Sequence, residues 1–502
     1  MNQGKICVSI CGETTNEVLG RIERARQLAD VIEIRFDCLH PEEIEPLIEK
    51  LATRTEQFLI TFRPAGQGGT REITINERTE FWEKVASRLD DTPLLDIEYD
   101  LEFPQGIDAK RIIVSRHEFS GRPDNLDDVF EGLFLRGSGA IKLAVNVTDA
   151  SDAVDVYTLL NVIGRPVVPI AMGEAGKWTR ILGLAHNAWL TYASLDATEG
   201  TAPGQIAAED LHNVFRVKEL DRRSNVYAVI AGDTSYSLSP FMHNAAFKLA
   251  ALNSVFVPMQ VHDLDAFMRR MVFGATREVE MNFKGFSVTN PHKQSVIKYL
   301  DSIDETARKI GAVNTIKIES GKLRGFNTDA LGFIKPLKDL YGDLRDACVL
   351  VAGAGGASRA CIYALKQEGA DVTLFARDLE KATTLADEFG VEVRQLSTDH
   401  RPLTADILVN TTPVGTIGES LGESIATSDE LRGVKLVYDL VYNPEETRLI
   451  REAKMAGSKT LGGIEMLIAQ GAQQFSIWTG EDPPVDEMKA AVNARLNQTY
   501  AR

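Results

Sequence analysis

The sequence predicts an α/β protein in two halves: an N-terminal (β/α)8 barrel and a C-terminal half that contains a nucleotide-binding domain. Up to about residue 215, short β-branched runs alternate with helix-compatible segments. A charged segment, VKELDRRSN at 217–225, then interrupts the alternation. A second β-α series follows and includes the glycine-rich turn VLVAGAGGASRA at 349–360. These three observations place a domain boundary at 217–225.

Eight apolar runs form the repeat of the first half. They are near-continuously apolar, as strands buried on both faces of a sheet are. The runs are ICVSI (6–10), VIEIR (31–35), FLITF (58–62), PLLDIE (93–98), RIIVS (111–115), AIKLAV (140–145), VVPIA (167–171) and YASL (192–195). Eight β-then-α units predict a barrel, although this half is short for one. An open doubly wound sheet is the main alternative.

The composition is that of an average globular chain of about three structural units. The chain has 502 residues and a formal net charge of −17, which argues against a general nucleic-acid surface. No apolar run reaches the ~18–20 residues of a membrane helix, and the first residues read as a strand and not as a signal peptide. We therefore expect a cytoplasmic protein, or a plastid protein if a transit peptide has been removed. The five scattered cysteines predict reduced, mostly buried thiols.

A barrel reading requires the chemistry to lie at the carboxyl ends of the strands. Polar or sulfur-bearing side chains are found there at Glu33, Arg35, Arg63, Glu98, His117, Lys142 and Met172. Lys142 lies inside a strand, where lysine is disfavoured. Burial and nearby cations would lower its pKa, and a neutral amine can form a Schiff base with a ketone. A lysine that reaches solvent from a sheet edge is the alternative.

His117 follows a strand, and its imidazole can move a proton at neutral pH. Glu33 and Arg35 share one face of their strand, so they can orient each other, His117 or a substrate hydroxyl; a structural ion pair is equally compatible. Arg63, Arg180 and the TAPGQ turn at 201–205, with the amide of Gln205, form a candidate carboxylate site. Each of these residues alone is more often structural.

Six motifs of this half occur together in the order IEIRFD, TFRP…GG, SRHEF, IKLAV, AMGE…TR and TAPGQ. Over residues 5–215 the sequence resembles type I 3-dehydroquinate dehydratase, whose fold is a (β/α)8 barrel. The resemblance implies an imine on Lys142 and proton transfer by His117. It also implies contacts to substrate from Glu33, Arg35, Arg63, Met172, Arg180, Thr201 and Gln205. One position departs from the family, because Gln67 stands where a glutamate is usual.

The glycine-rich turn of the second half lies between an apolar strand and a helix start, where free N–H groups favour a pyrophosphate. The following strand ends in Arg377 and Asp378, with Lys381 one turn later and Arg359 just past the glycines. These cations favour NADP(H) over NAD, whereas Asp378 alone would suit the ribose of NAD. The candidate cofactor-binding residues are Gly353, Gly355, Gly356, Ala357, Arg377, Lys381, Asn410, Thr411, Thr412 and Gly463. No metal is expected.

Two sets of polar residues precede that turn. Ser237 and Ser239 lie before a helix, and Ser239 followed by Pro240 is typical of an N-cap, although the hydroxyls can also bind a ligand. Lys293 follows a strand, and Asp329 begins the segment after FNT. A lysine and an aspartate together can move the proton of an alcohol while a hydride moves on carbon.

Over residues 224–502 the sequence resembles shikimate dehydrogenase through SxSP, SVTNPHK, GAVNT, NTD, AGAGGASRA, NTTPVG, YDLVYNP and GGIEMLIAQG. The resemblance implies a catalytic pair of Lys293 and Asp329. It implies a substrate pocket of Ser237, Ser239, Thr289, Asn314, Tyr442, Gln470 and Gln474. The hydroxyls of this pocket favour shikimate over quinate.

The two implied activities are consecutive: dehydration of 3-dehydroquinate, then NADPH-dependent reduction of 3-dehydroshikimate. The predicted domains are a barrel (1–218), a substrate-binding domain (224–327, completed by helices 470–502) and a Rossmann domain (328–469). The expected partners are small-molecule substrates, with no nucleic acid and no membrane. A catabolic enzyme with an NAD-linked quinate/shikimate dehydrogenase and a non-catalytic metabolite sensor are the alternatives.

Overall fold

The structure, a computed structural model, describes residues 2–89, 93–200, 202–395, 402–417 and 420–500. The chain divides into two compact units. Unit 1 comprises Met1–Val226, Asp233–Ser235 and Asn253–Asn282. Unit 2 comprises Tyr227–Gly232, Tyr236–Leu252 and Phe283–Arg502. Among the described residues, no helix combines the length and apolar character that crossing a membrane requires.

Unit 1 is built on one curled parallel sheet. Its strands are β1 (Lys5–Ile10), β2 (Val31–Arg35), β3 (Phe58–Thr61), β4 (Leu94–Glu98), β5 (Ile112–Glu118), β6 (Ala140–Asn146), β7 (Val167–Met172), β8 (Leu190–Ser194) and β9 (Ile206–Ala207). Strands β1 to β7 follow one another in chain order, and β8 pairs with β1. First and last strands of the repeat are thus neighbours, as in a barrel, and the doubly wound alternative is wrong.

Helices follow the strands of unit 1. They are α1 (Thr15–Ala25), α2 (Ile44–Leu51), α3 (Ile75–Arg88), α4 (Leu126–Leu135), α5 (Ala153–Thr158), α6 (Lys177–Leu182) and α7 (Ala208–Asn213). In α1, Thr15, Val18, Ile22 and Ala25 recur at helical spacing and are buried. The Thr14 hydroxyl accepts a hydrogen bond from the Glu17 amide and so caps the helix start.

Period-two alternation stacks two layers inside the barrel. One layer is an apolar cluster that includes Cys7, Val31 and Ala140. Two residues further along the same strands, the equivalent positions are Ser9, Glu33 and Lys142. The interior therefore changes from apolar to polar towards the carboxyl ends of the strands, which is where the sequence places the reactive groups.

The cysteine prediction is wrong for two of the five residues. Cys11 and Cys38 form a disulfide, with their Cα atoms 5.6 Å apart. Cys7, Cys348 and Cys361 are free thiols, and Cys348 is exposed. The two bonded cysteines are 27 residues apart and show no paired motif, so only the alignment of β1 with β2 brings them together.

In unit 2 a mixed sheet carries five strands side by side. In spatial order these are β10 (Asn225–Ala231), β12 (Phe283–Val288), β14 (Thr315–Glu319), β15 (Lys322–Phe326) and β13 (Ser302–Ile303). Strands β12, β14 and β15 are antiparallel neighbours. Strand β11 (Ser254–Gln260) and helix α9 (Leu264–Phe267) belong to unit 1.

A second sheet of unit 2 is fully parallel, with the order β18-β17-β16-β19-β20-β21. Its strands are β16 (Cys348–Ala352), β17 (Asp371–Ala376), β18 (Glu392–Gln395), β19 (Ile407–Asn410), β20 (Leu436–Asp439) and β21 (Lys459–Gly462). Numbered from β16, this order is 3-2-1-4-5-6, the order of a Rossmann domain.

The helices of unit 2 pack on both sheets. They are α8 (Ser239–Leu249), α10 (Glu305–Ile310), α11 (Asp329–Tyr341), α12 (Gly356–Gln367), α13 (Leu379–Phe389), α14 (Arg448–Ala456), α15 (Gly463–Thr479) and α16 (Val485–Tyr500). The two last helices pack on the first part of unit 2: α16 packs on α8, and α15 contacts β12 and β14 as well as α11.

Candidate active sites

Lys142 lies on β6 inside the barrel, and only 3% of its side chain is exposed. Its Nζ donates to Asp96 Oδ2 at 2.8 Å and lies 3.8 Å from Glu33 Oε1. The same Nζ lies 4.1 Å from the centre of the Tyr192 ring. Lys142 does not reach solvent, so the sheet-edge alternative is wrong.

The surroundings of Lys142 lower its pKa from the ordinary value. Burial is the largest cause, because the charged ammonium loses its hydration inside the barrel. The Asp96 charge opposes this effect, and the nearby Arg63 guanidinium adds to it. Burial and a neighbouring cation are the causes that the sequence predicts. The lowered pKa favours the neutral amine that a nucleophile needs.

Asp96 on β4 is the centre of this site, and the sequence analysis missed it. Its carboxylate is fully buried and binds Lys142, Arg63 Nη2 at 2.8 Å, and the Ser115 hydroxyl. These cations hold the pKa of Asp96 far below its ordinary value despite burial, which by itself would raise it. Asp96 lies in PLLDIE two residues before Glu98, so period-two alternation was the signal that could have found it.

His117 is buried on β5, and its Nδ1 has no hydrogen-bond partner among the described residues. Burial, Arg63 and Lys142, in that order, keep its pKa well below 6.5. The imidazole is therefore neutral and can accept a proton. Gln67 does not orient the ring: its Oε1 accepts from the main-chain N–H of His117 at 2.9 Å.

Glu33 and Arg35 have separate partners, so a mutual ion pair is wrong. Glu33 accepts hydrogen bonds from the hydroxyls of Ser9 and Thr61. Arg35 donates from Nε and Nη2 to the Asp37 carboxylate, at 2.9 and 2.7 Å, and from Nη2 to the Gly68 carbonyl at 2.9 Å. Glu33 thereby faces the Lys142 amine, while Arg35 is held at the end of β2.

The two arginines of the predicted carboxylate site differ. Arg63 is bound to Asp96 and lies 3.6 Å from Glu98 Oε1. Arg180 on α6 is buried without an ion pair to a described carboxylate, and its Nε has no hydrogen-bond partner. Burial lowers the pKa of Arg180 to about 10. A buried guanidinium without a carboxylate partner favours the binding of an anionic ligand.

The TAPGQ turn lies next to Arg180, whose Nη2 donates to the Pro203 carbonyl at 3.4 Å. Gln205 is half-buried, and Thr201 lies outside the described residues. Met172 is buried at the end of β7. The structure thus brings the described candidates of the barrel to the carboxyl ends of its strands, as predicted.

In unit 2, Lys293 and Asp329 form an ion pair with Nζ 2.6 Å from Oδ2. Lys293 follows the cis Asn290–Pro291 bond at the end of β12, and 15% of its side chain is exposed. Asp329 is the first residue of α11. The Asn327 side chain accepts from the main-chain N–H of Asp329 at 3.0 Å and fixes this helix start.

Asn314 orients the Asp329 carboxylate. Its Nδ2 donates to Asp329 Oδ1 at 2.8 Å, and its Oδ1 accepts from the Thr328 N–H at 2.8 Å. Gln470 Oε1 lies 3.4 Å from the same Nδ2. The predicted substrate residues Asn314 and Gln470 therefore adjoin the Lys293–Asp329 pair.

Gln474 is fully buried, and its amide serves the core. It donates to the Ser287 and Thr315 hydroxyls and to the Asn314 carbonyl, and its Oε1 lies 3.2 Å from His243 Nε2. The prediction that Gln474 lines the pocket therefore needs correction: it supports Asn314 from within the core, because α15 packs against the sheet at this point.

The serines lie at the start of α8. The N-cap is Leu238 and not Ser239, and no side chain caps the helix there. The Ser239 hydroxyl is therefore not used for capping, and the Ser237 hydroxyl accepts from the Ser239 N–H at 3.3 Å. Thr289 and Tyr442 are half-buried, and burial raises the pKa of Tyr442.

The glycine-rich turn leads from β16 into α12, and close contacts leave little room for a side chain at two of its glycines. Gly353 has φ +112°, and a Cβ there would lie 2.6 Å from Thr411 Oγ1. A Cβ at Gly356 would lie 3.0 Å from the Lys293 stem. The predicted cofactor turn therefore touches the predicted catalytic lysine. Gly355 and Ala357 lie beside Gly356 at the start of the helix.

The charged residues after β17 have different roles. Arg377 and Lys381 are exposed. Asp378 caps α13, because its carboxylate accepts from the Lys381 N–H at 3.2 Å. Arg359 is bound to the Ile310 carbonyl and to Glu388, so the expectation that it contributes to cofactor choice is wrong.

Other cofactor candidates are partly structural. Asn410 is fully buried and binds Asp439 and the Thr412 N–H, so it holds its turn and does not face a ribose. Thr411 binds Ser358 at 2.6 Å across the turn. A Cβ at Gly463 would lie 2.2 Å from the Leu440 carbonyl, which explains the glycine at the start of α15.

Family models match both units. The model "Type I 3-dehydroquinase" matches residues 6–222. "Shikimate dehydrogenase substrate binding domain" matches 229–316, "Shikimate / quinate 5-dehydrogenase" matches 336–417, and "Shikimate 5'-dehydrogenase C-terminal domain" matches 463–492.

A similar protein in Arabidopsis thaliana, "Bifunctional 3-dehydroquinate dehydratase/shikimate dehydrogenase, chloroplastic", is 32% identical over 96% of this chain and 83% of its own length. The "Shikimate dehydrogenase (NADP(+))" of Methanocaldococcus jannaschii is 41% identical over 56% of this chain and 100% of its own length. A crystal structure of a shikimate dehydrogenase in complex with NADP+ is 40% identical, with a TM-score of 0.51, over 55% of this chain and 97% of that one.

Proposed function

The chain belongs to the family of bifunctional 3-dehydroquinate dehydratase/shikimate dehydrogenases, and we propose that Lys142 with His117 performs the first reaction and Lys293 with Asp329 the second. The chain dehydrates 3-dehydroquinate and reduces the resulting 3-dehydroshikimate to shikimate. Because Lys142 and Lys293 belong to different units, each activity is an internal control for the other.

The dehydratase proposal rests on one observation: a buried amine with a lowered pKa near an imidazole whose Nδ1 has no hydrogen-bond partner among the described residues. The Lys142 nitrogen attacks the ketone carbon, and the ketone oxygen leaves as water when the protonated imine forms. This imine keeps a positive charge beside Asp96, where the ammonium stood. The imine withdraws electrons from the adjacent carbon, and His117 removes the proton there. His117 then returns this proton to the departing hydroxyl, which leaves as water. Hydrolysis of the product imine by one water releases 3-dehydroshikimate and restores the Lys142 amine.

Substrate binding is assigned from the structure for Arg63 and Arg180, and from the family resemblance for the other residues. Arg180 binds the carboxylate, because its buried guanidinium has no carboxylate partner among the described residues. Glu33, Arg35 and Gln205 bind hydroxyls, and Met172 packs against the ring. Arg63 holds the charges around Lys142 in place, because it is already bound to Asp96.

Trapping of the imine tests the dehydratase proposal. Borohydride added with 3-dehydroquinate reduces an imine to a stable amine, so mass spectrometry of peptides should find the adduct on Lys142. Lys142→Met is the control, and it should carry no adduct. An adduct on another lysine, or normal dehydratase turnover by Lys142→Met, would contradict the proposal.

The dehydrogenase site fits NADPH, because a glycine turn leads from β16 into the N-terminus of α12, where a Cβ at Gly353 would crowd Thr411 and a Cβ at Gly356 would crowd Lys293. The α12 N-terminus, with Gly355 and Ala357, would hold the pyrophosphate, and the exposed Arg377 and Lys381 would bind the 2′-phosphate. NADPH supplies the hydride when bound. Lys293 donates the proton to the substrate oxygen, and Asp329 holds the Lys293 ammonium in place. Ser237, Ser239, Thr289 and Asn314 bind the substrate's polar groups.

Turnover of NADP+ and NAD+ with shikimate and with quinate, and of NADPH and NADH with 3-dehydroshikimate, tests this cofactor and substrate assignment. We expect the largest kcat/KM for NADPH with 3-dehydroshikimate, and for NADP+ with shikimate in the reverse direction. A preference for NADH or quinate would instead support a catabolic enzyme. Asp378 does not favour that outcome, because its carboxylate caps α13.

We propose the domain limits 1–218, 224–327 with 470–502, and 328–469. The support is that the four family models fall within these limits, apart from the ends of 6–222 and 463–492. Small molecules, and not nucleic acids, are the proposed ligands because the net charge is −17. A cytoplasmic location is also proposed, and fractionation of the source cells tests it.

A further inference from the structure

The disulfide between Cys11 and Cys38 lies at the end of the barrel that carries the dehydratase residues. Cys11 directly follows β1, and Cys38 ends the short 3-10 turn that follows β2. Both cysteines are half-buried. The bond therefore joins the segments that leave the carboxyl ends of two neighbouring strands, and β2 carries Glu33 and Arg35.

On the Cys38 side, the bond adjoins the residue that anchors Arg35. Asp37 is buried, accepts two hydrogen bonds from the Arg35 guanidinium and accepts a third from the Thr70 N–H at 3.1 Å. The Thr70 hydroxyl also donates to the Asp37 carbonyl. The backbone at 37–38 thus sets the position of Arg35.

On the Cys11 side, the bond adjoins the partner of Glu33. Ser9 lies opposite Glu33 in the β1–β2 register and donates its hydroxyl to the Glu33 carboxylate. The two segments share another link, in which the His40 N–H donates to the Glu13 carbonyl at 3.0 Å. Reduction of the disulfide should therefore loosen this corner of the site without unfolding it.

The remaining cysteines do not share this placement. Cys7 and Cys361 are buried, and burial raises the pKa of both thiols, so they are unreactive. Cys348 is exposed, at the start of β16 in unit 2. A disulfide in a reducing compartment is usually transient and redox-sensing, not a permanent staple.

We propose that Cys11 and Cys38 form a redox-modification site of the dehydratase: the disulfide form holds Arg35 and Glu33 for 3-dehydroquinate, and the dithiol form binds this substrate more weakly. A dithiol reductant attacks one sulfur, a mixed disulfide forms, and its second thiol resolves it. Two electrons and two protons pass to the protein, and the reductant leaves as a disulfide. A small-molecule disulfide reverses the reaction. The inference rests on the proposed role of Arg35.

Kinetics of the full chain in both redox states provide the test. Reduction with dithiothreitol, or the double variant Cys11→Ser/Cys38→Ser, should raise the dehydratase KM about three- to tenfold, roughly the loss of one hydrogen bond, with a smaller change in kcat. The dehydrogenase KM and kcat should not change. Cys348→Ser is the matched control and should respond to reduction as the parent does.

Alkylation before and after reduction, followed by mass spectrometry, shows the state of the sulfurs. Cys11 and Cys38 should be labelled only after reduction. Labelling of both before reduction in air-oxidised protein, or an unchanged dehydratase KM after reduction, would overturn the proposal. Arg35→Gln separates this result from the proposed function: if the variant leaves KM unchanged, the role of Arg35 is wrong, whereas the effect of reduction on the parent decides the redox site.

Discussion

Lys142 in the barrel and Lys293 in unit 2 each donate a hydrogen bond to one carboxylate, but their surroundings differ. Lys142 is 3% exposed and its partner Asp96 also binds Arg63, so the amine belongs to a closed cluster of charges. Lys293 is 15% exposed, pairs with Asp329 and lies against the glycine turn. A nucleophilic amine requires desolvation, which lowers its pKa, whereas a lysine that exchanges protons with a bound substrate must stay accessible.

The largest effect is expected for Lys142→Met. Dehydratase kcat should fall about 10³-fold or more, because the covalent route is lost. Dehydrogenase turnover by the same preparation should be normal. Steady-state assays of both reactions measure this, and a parallel loss of both activities would show that the two sites are not independent.

Asp96→Asn tests the closed cluster. The variant leaves the charges of Lys142 and Arg63 buried without the Asp96 carboxylate. The free energy of unfolding should therefore fall by about 3–5 kcal/mol. Asp96 raises the pKa of Lys142, so its loss should move the acid limb of dehydratase kcat/KM to lower pH. Denaturant unfolding and a pH profile measure the two effects.

Glu45→Gln is the control for Asp96→Asn. The Glu45 carboxylate lies 2.9 Å from Arg88, and both side chains are exposed, by 44% and 52%. An exposed pair contributes at most about 1 kcal/mol, so this variant should change little. Equal effects of the two substitutions would contradict a special role for Asp96.

Glu98→Gln tests a carboxyl group on the same strand as Asp96 whose pKa is raised, whereas the pKa of Asp96 is lowered. Burial raises the pKa of Glu98 to about 7. Because this pKa is higher in the folded than in the unfolded protein, protonated Glu98 contributes its full stability at pH values below its unfolded pKa. This contribution is lost as the pH rises through the folded value of about 7. Glutamine stays neutral, so the variant should gain on the order of 3 kcal/mol over the parent between pH 4 and 8. Denaturant unfolding of both proteins across this range measures the gain.

Asp439→Asn in unit 2 gives the matched comparison for Glu98→Gln. Burial raises the pKa of Asp439 to about 6, so its pH-dependent gain should have the same sign and be smaller. A pH-independent difference between parent and Glu98→Gln would contradict the raised pKa of Glu98.

Lys293→Met should lower dehydrogenase kcat about 10²-fold, the usual contribution of a positioned proton donor. Dehydratase turnover should not change. Lys317→Met on β14 is the control, since Lys317 pairs only with Glu319 at 3.6 Å among the described residues. An unchanged dehydrogenase kcat would remove Lys293 from the mechanism.

The smallest effect is expected for Arg377→Gln. The KM for NADPH should rise about tenfold through the loss of one charge-assisted hydrogen bond, and the KM for NADH should not change. Arg394→Gln, on the neighbouring strand β18, is the control. If both cofactors respond equally, Arg377 does not bind the 2′-phosphate.

The strands of the barrel and the order of chemical motifs were readable from the sequence, because apolar runs and short motifs are local signals. The eight predicted runs coincide with β1 to β8 within three residues at each end. Asp96 was missed because it lies within an apolar run and becomes conspicuous only beside Lys142. The hydrogen-bond partners of Glu33 are Ser9 and Thr61, and that of Arg35 is Asp37. The sequence of the VIEIR run does not predict these partners.

The sequence by itself determined the fold class, which follows from periodicity along the chain. It indicated the family, and the candidate reactive side chains, through motifs that resemble those of known enzymes. The tertiary structure alone decided which charges neutralise each other, that Gln474 and Asn410 serve the core, and that Cys11 meets Cys38. Burial, pKa and covalent pairing depend on neighbours that are distant in sequence, and only the packed sheet brings those neighbours within a few ångströms.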